Sequence, residues 1–160
     1  VGLSSDKAFR PISPYGLSKA YAEAIFLAAN EARREPHPRF AVTRYGNVWG
    51  STGSVGPVWS QMLEDGNDTV PITDPNCTRF FMLMNEAVDL VLRAINTMEG
   101  GEIFIPKLPA YRLGDLADAM GVKTITTGLP AWEKLHESMD LNNSSDCARR
   151  MSIDELRAAL

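Results

Sequence analysis

Ser13-Pro14-Tyr15-Gly16-Leu17-Ser18-Lys19, the alanine-rich run that continues to Arg34, and the following Arg39-Phe40-Ala41-Val42-Thr43-Arg44-Tyr45 decide how this chain folds. A serine before a proline is a helix-start signal: the hydroxyl caps orphan amides, and proline is tolerated in the first turn. The run Tyr15 to Arg34 is made of good helix formers. Pro36 and Pro38 stop it. Arg39 to Tyr45, with Phe40, Val42 and Thr43, reads as a strand. Upstream, Val1 to Ser5 begins apolar and turns polar, and reads as the end of a buried strand. Strand, helix and strand in that order build an α/β fold.

The alternation continues downstream. Gly46 to Gly56 reads as a glycine-rich turn, Pro57 to Glu64 as a short helix and Thr69 to Thr73 as a short strand. Asn85 is placed to cap a helix running to about Met98, with Ala87, Val88, Val91, Leu92 and Ile95 on one face. Glu102 to Ile105 reads as a strand, and Leu113 to Met120 as a helix ended by Gly121. Lys123 to Thr127 is β-rich, and the polar stretch Asp140 to Asp146 reads as a loop. Ser152-Ile153-Asp154-Glu155 is a capping box that opens a last helix.

Composition narrows the function. The 160 residues are 44% hydrophobic and 22% charged, with a net charge of −4, which suits one domain or a large part of one. A nucleic-acid binder would carry a basic stripe, and the doublets Arg33-Arg34 and Arg149-Arg150 are too short to make one. No apolar run approaches the roughly 20 residues of a membrane helix, so neither a membrane nor nucleic acid is expected as a partner. Cys77 and Cys147 show no metal-ligand spacing and are expected to be reduced, in a cytoplasmic protein. His37 and His136 read as surface residues, and Trp49, Trp59 and Trp132 as packing. Val1-Gly2-Leu3 reads as a cut rather than a natural beginning.

Tyr15 and Lys19 are four apart, which puts both on one face of a helix. A solvated helix face can carry such a pair by chance. An ammonium beside a phenol also favours the phenolate, and a phenolate can act as general base on a sugar hydroxyl. Ser4-Ser5-Asp6-Lys7-Ala8 lies upstream, at the end of the first strand. Ligands of open α/β sheets sit beyond such strand ends, so an acid and an amine there add proton-transfer groups. Gly50-Ser51-Thr52-Gly53-Ser54-Val55-Gly56 mimics a dinucleotide fingerprint. Its helix is short, and Pro71 falls inside the next strand, so it reads as a substrate-side loop.

Taken in order, Ser5-Asp6-Lys7-Ala8, Tyr15-Gly16-Leu17-Ser18-Lys19 and Arg44-Tyr45-Gly46-Asn47-Val48 resemble the extended short-chain dehydrogenase/reductases. Gly53-Ser54-Val55, Pro71-Ile72-Thr73-Asp74, Thr78-Arg79-Phe80, Gly100 to Lys107 and Glu133-Lys134-Leu135-His136-Glu137 extend the likeness to about Met139. The closer match is the inverting UDP-N-acetylglucosamine 4,6-dehydratase group of polysaccharide and flagellar-sugar biosynthesis. The chain departs from that pattern at Pro130-Ala131-Trp132, where the family has Arg-Pro-Gly, and at Thr52, where an arginine is common.

The resemblance implies the C-terminal part of a Rossmann-like domain plus a small α/β substrate-binding lobe. Residues 1–50 would end the Rossmann sheet, residues 51–160 would form mainly the substrate lobe, and the glycine-fingerprint half would be absent. It implies NADP, or NAD, as cofactor and a nucleotide sugar as substrate. Catalysis would fall to Asp6, Lys7, Tyr15 and Lys19. Ser5, Tyr15, Lys19, Tyr45, Gly46 and Val48 would contact the cofactor, and Asn47, Arg79 and Glu133 the substrate. No metal is implied, and the full-length parent would be a homo-oligomer. A related epimerase or reductase, or an inactive substrate-binding fragment, are the alternatives.

Overall fold

Two parallel strands beside a helix anchor the structure. β1 (Gly2–Ser5) pairs with β2 (Val42–Tyr45), Gly2 opposite Val42 and Ser5 opposite Tyr45. The computed structural model describes residues 1–34, 36 and 38–160, so the reading of His37 lies outside the described residues. Between the strands runs α1 (Pro14–Ala32), with Pro14 in its first turn and the Ser13 hydroxyl accepting the Gly16 N–H. A buried ion pair ties α1 to β2: Arg44 donates through Nε to Glu23 at 2.8 Å and through Nη2 to the same carboxylate.

After β3 (Asn47–Val48), α2 (Val55–Glu64), β4 (Thr69–Ile72), β5 (Thr78–Met82) and α3 (Met84–Thr97) come β6 (Ile103–Phe104), β7 (Ala110–Arg112), α4 (Leu113–Met120), β8 (Lys123–Thr126) and α5 (Ile153–Ala159). Among the described residues the strands form three small sheets, ordered β1-β2-β6, β3-β5-β7 and β4-β8, and of these strand pairings only β5–β7 is antiparallel. β5 is the wall between two apolar clusters. Phe80 and Met82 point into one with Leu90 and Met139, while Phe81 points into the other with Trp59, Ile72 and Leu116. This is the two-residue alternation of a strand. Burying a side chain such as Phe80 contributes about 1.5–3 kcal/mol.

Several expectations need correction. Gly46 to Gly56 is not one turn: Asn47–Val48 pairs with β5, and α2 already begins at Val55. Asn85 lies inside α3 rather than at its cap. Leu83 is the cap, and its N–H is held by Glu86 at 2.7 Å. The apolar face read on α3 is also displaced. Ala87, Leu90 and Ala94 are buried, whereas Val88, Leu92 and Ile95 are exposed. Both sets fit helical spacing one residue out of phase, and Ala87 is buried as read. Gly121 ends α4 in the left-handed conformation, φ 68°, and the Ser152–Glu155 capping box opens α5, both as read. Both cysteines are free, Cys77 buried and Cys147 exposed. Among the described residues no helix is long and apolar enough to cross a membrane, and no cluster of His, Cys, Asp and Glu is arranged to hold a metal.

Candidate active site

At the carboxyl end of β1 the chain makes a single 3-10 turn, Asp6–Ala8, and that turn sorts the two charged residues. The Ser5 hydroxyl caps it by accepting the Lys7 N–H at 3.2 Å. Asp6 is driven inside, at 0% exposure, while the Lys7 side chain reaches an open cavity of about 480 Å³. Lys7 Nζ donates to Asp6 Oδ1 at 3.0 Å and lies 3.8 Å from Glu137 Oε1. Burial holds the Asp6 carboxyl above its usual range; the Lys7 ammonium pulls it back, and the Glu137 carboxylate pushes it up again.

α1 abuts this turn at Gly16. A Cβ there would sit 2.4 Å from the Lys7 carbonyl oxygen, so only glycine permits the contact. The neighbouring Tyr15, half-exposed in the first turn of α1, therefore lines the same cavity as Lys7. Lys19 stands one turn on but does not line it. Its Nζ donates to the Leu3 carbonyl at 3.2 Å and lies 5.7 Å from the centre of the Tyr15 ring.

The rest of the wall comes from the β3–β5 pair and the segment after β8. Asn47 sits opposite Phe81 in register, and its buried Oδ1 has no hydrogen-bond partner among the described residues. Arg79, two residues before Phe81 on β5, faces the same side. Its guanidinium donates to Glu133 Oε1 at 2.5 Å and to the carbonyls of Thr78 and Leu135 at 2.7 and 3.2 Å. Two expected substrate contacts thus bind each other.

The cavity gathers Lys7, Tyr15, Asn47, Arg79 and Glu133 of the expected residues, with Asp6 beneath Lys7. Tyr45, Gly46 and Val48 do not line it. Tyr45 and Val48 lean on the Phe80 cluster, and a Cβ on Gly46 would meet Phe80 Cβ at 2.4 Å. Tyr45 nevertheless ends β2 beside Ser5, and its phenol is raised by burial and by the nearby Tyr15.

Sequence reasoning missed Tyr111, Trp132, Lys134 and Glu137, all in the wall. Trp132 is not packing; it is 66% exposed at the cavity. His136 is not a surface residue but half-buried, its Nδ1 2.9 Å from the Thr78 hydroxyl. Lys134 and Glu137 could have been found, because they stand three apart in the run that carries the family likeness, where Glu133 is the only expected site residue.

Comparison with known proteins places the chain in a family. The family described as polysaccharide biosynthesis protein matches residues 1–157. A UDP-N-acetylglucosamine 4,6-dehydratase (inverting) of Campylobacter jejuni is 42% identical over 147 residues, which are 91% of this chain and 44% of the relative. The chain thus spans less than half the length of that curated relative. Among solved structures, Pen from Bacillus thuringiensis superposes with a TM-score of 0.87 at 29% identity, covering 98% of this chain and 60% of the other. A UDP-glucuronic acid 4-epimerase variant from Bacillus cereus, in complex with a fluorinated UDP-sugar and NAD, shares the fold at a TM-score of 0.67 and 18% identity, covering 98% and 58%. By the full-length family match and the shared α/β fold, the chain belongs to the polysaccharide biosynthesis protein family, within the extended short-chain dehydrogenase/reductases.

Proposed function

We propose that this chain is the catalytic and substrate-binding part of a nucleotide-sugar 4,6-dehydratase, a lyase acting on UDP-N-acetylglucosamine with inversion at C5. The observation that carries this reading is the Lys7–Asp6 pair at the cavity, set against Tyr15 by the Gly16 contact. A simple epimerase or reductase needs the tyrosine and no such second acid–base pair. We place the enzyme in the cytoplasm, as a homo-oligomer, with residues 1–50 ending a nucleotide-binding sheet to which β6 adds a strand, and residues 51–160 otherwise forming mainly the substrate lobe.

The residues present fit a nicotinamide dinucleotide. Tyr15, Lys19 and Tyr45 gather at the carboxyl ends of β1 and β2, the edge where open α/β sheets bind dinucleotides. NADP is our preferred form, with NAD the alternative. When bound, it supplies the hydride acceptor for C4 and the hydride donor for C6. Tyr15 takes the proton of the C4 hydroxyl, with the Lys19 ammonium 5.7 Å from the centre of its ring. The 4-keto group acidifies the C5 proton, which Lys7 removes once it has passed its own proton to the adjacent Asp6 carboxylate. Asp6 gives its proton to the C6 hydroxyl, which leaves as water. A carboxyl held above its usual range by burial keeps that proton in readiness. Water reprotonates C5 from the opposite face, completing the inversion, and Lys7, protonated again, returns its proton to Asp6 to restore the pair for the next turnover. Asn47 and Arg79 face the nucleotide diphosphate, with Glu133 holding the Arg79 guanidinium in place.

The test uses the full-length protein with UDP-N-acetylglucosamine. Wild type is expected to yield a sugar lighter by one water and carrying a 4-keto group. Tyr15→Phe should lower turnover by about 10²–10⁴-fold and form no reduced nicotinamide. Lys7→Ala should form it in a single turnover and stop there. Full product formation by Lys7→Ala would rule out the dehydratase reading in favour of an epimerase or reductase.

A further inference from the structure

Glu137 is buried at 3% exposure and plays no part in the steps above. A carboxylate in that position is costly unless it is paired, and it stands between two lysines. Lys7 Nζ lies 3.8 Å from its Oε1, and Lys134 Nζ lies 3.4 Å from its Oε2. Its own N–H donates to the Ser145 hydroxyl at 2.9 Å, and Ser145 is fully buried. Lys134 is held in turn by the Phe9 carbonyl at 2.7 Å. We infer that Glu137 is a positioning residue that holds the Lys7 amine against the Asp6 carboxyl and aims both at the sugar. The inference rests on the dehydratase reading.

Geometry separates this role from a purely structural ion pair. Lys134 alone would neutralise Glu137, yet Glu137 also reaches Lys7, the cavity lysine that is hydrogen-bonded to Asp6. With Asp6 alone, Lys7 is fixed at a single point; Glu137 adds a second, on the segment that carries Glu133. The groups that act on Asp6 are Lys7, Glu137 and Arg79, and the buried Tyr111 phenol feels its charge. Of these, Glu137 raises the Asp6 carboxyl by like-charge repulsion, which favours the acid form needed at C6.

The experiment compares Glu137→Gln and Glu137→Asp with wild type in the full-length protein. The first readout needs no turnover. The carboxylic-acid infrared band of Asp6, identified by its loss in Asp6→Asn, is followed against pH without substrate. In Glu137→Gln it should disappear at a lower pH than in wild type, whereas Glu137→Asp, which keeps the charge, should stay near wild type. The second readout is kinetic. Glu137→Gln should lower kcat by about tenfold or more, short of the roughly 10²–10⁴-fold expected for losing the base itself. KM for the nucleotide sugar should hold, and reduced nicotinamide should accumulate in a single turnover. Glu137→Asp should recover much of that loss. An unmoved Asp6 band together with wild-type kcat in folded Glu137→Gln would overturn the inference. If Glu137→Gln does not fold, a folded Glu137→Asp whose Asp6 band is displaced from wild type, with KM raised at unchanged kcat, would overturn it equally. A wild type that forms no keto sugar would defeat the dehydratase reading, and an Asp6 band that still follows Glu137 would keep the coupling apart from it.

Discussion

Replacing Gly16 by alanine sets two effects of opposite sign against each other. Gly16 lies within α1 and its φ is not in the left-handed region. Helix propensity alone therefore makes Gly16→Ala stabilising by roughly 0.5–1 kcal/mol. The structure reverses this. The new Cβ would lie 2.4 Å from the Lys7 carbonyl oxygen and 3.1 Å from Pro11 Cβ. Reaching an ordinary separation of about 3.5 Å requires the turn or the helix to retreat by about 1 Å. Overpacking of this kind costs about 1–3 kcal/mol, so the net change is a loss of up to about 2 kcal/mol. Catalysis should suffer more. The retreat separates Lys7 from Tyr15, and a displacement of about 1 Å can cost about 10²-fold in rate. Urea denaturation and single-turnover kinetics of the full-length variant measure the two effects. A more stable Gly16→Ala protein with undiminished turnover would show that the turn and α1 do not touch as described.

Glu23→Ala leaves the Arg44 guanidinium buried without its counter-charge and should lower stability by about 3–5 kcal/mol; adding Arg44→Met should restore much of the urea midpoint. Burial pushes the Tyr111 phenol up to about 12. The folded state therefore keeps a proton that the unfolded chain gives up near pH 10, and stability should fall as pH rises from about 10 to 12. Tyr111→Phe should flatten that part of a stability-versus-pH curve. Trp132 is exposed at the cavity, whereas Trp59 is buried and Trp49 stacks on Phe81. A nucleoside diphosphate should therefore change the emission of Trp132, and Trp132→Phe should abolish the response in a fluorescence titration.

Elements governed by local chemistry were legible. The Ser13-Pro14 start, the Gly121 stop and the Ser152–Glu155 box each satisfy orphan backbone groups with residues close in sequence. β5 was not legible. Thr78-Arg79 opens it with polar side chains, and these are buried because distant groups satisfy them: His136 and Ser145 for Thr78, Glu133 for Arg79. The site divides in the same way. Tyr15 and Lys7 are marked by spacing and strand-end position, whereas Glu137 becomes part of the site only through a contact 130 positions away in the chain. Tyr45, Gly46 and Val48 were read together as one motif, but the pleat turns Asn47 to the cavity and leaves its neighbours on the Phe80 side.

The tie from Lys134 to the Phe9 carbonyl, and from Glu137 to Lys7, joins segments 125 or more positions apart. On a ribosome the Asp6–Ala8 turn therefore emerges long before its charge partners. Through most of elongation Lys7 and Asp6 can stay hydrated, because nothing has yet arrived to enclose them. The costly desolvation of that pair falls late, when the segment that compensates it is already at hand. A nascent chain so arranged keeps the Lys7–Asp6 pair in water until the segment that carries Lys134 and Glu137 has arrived.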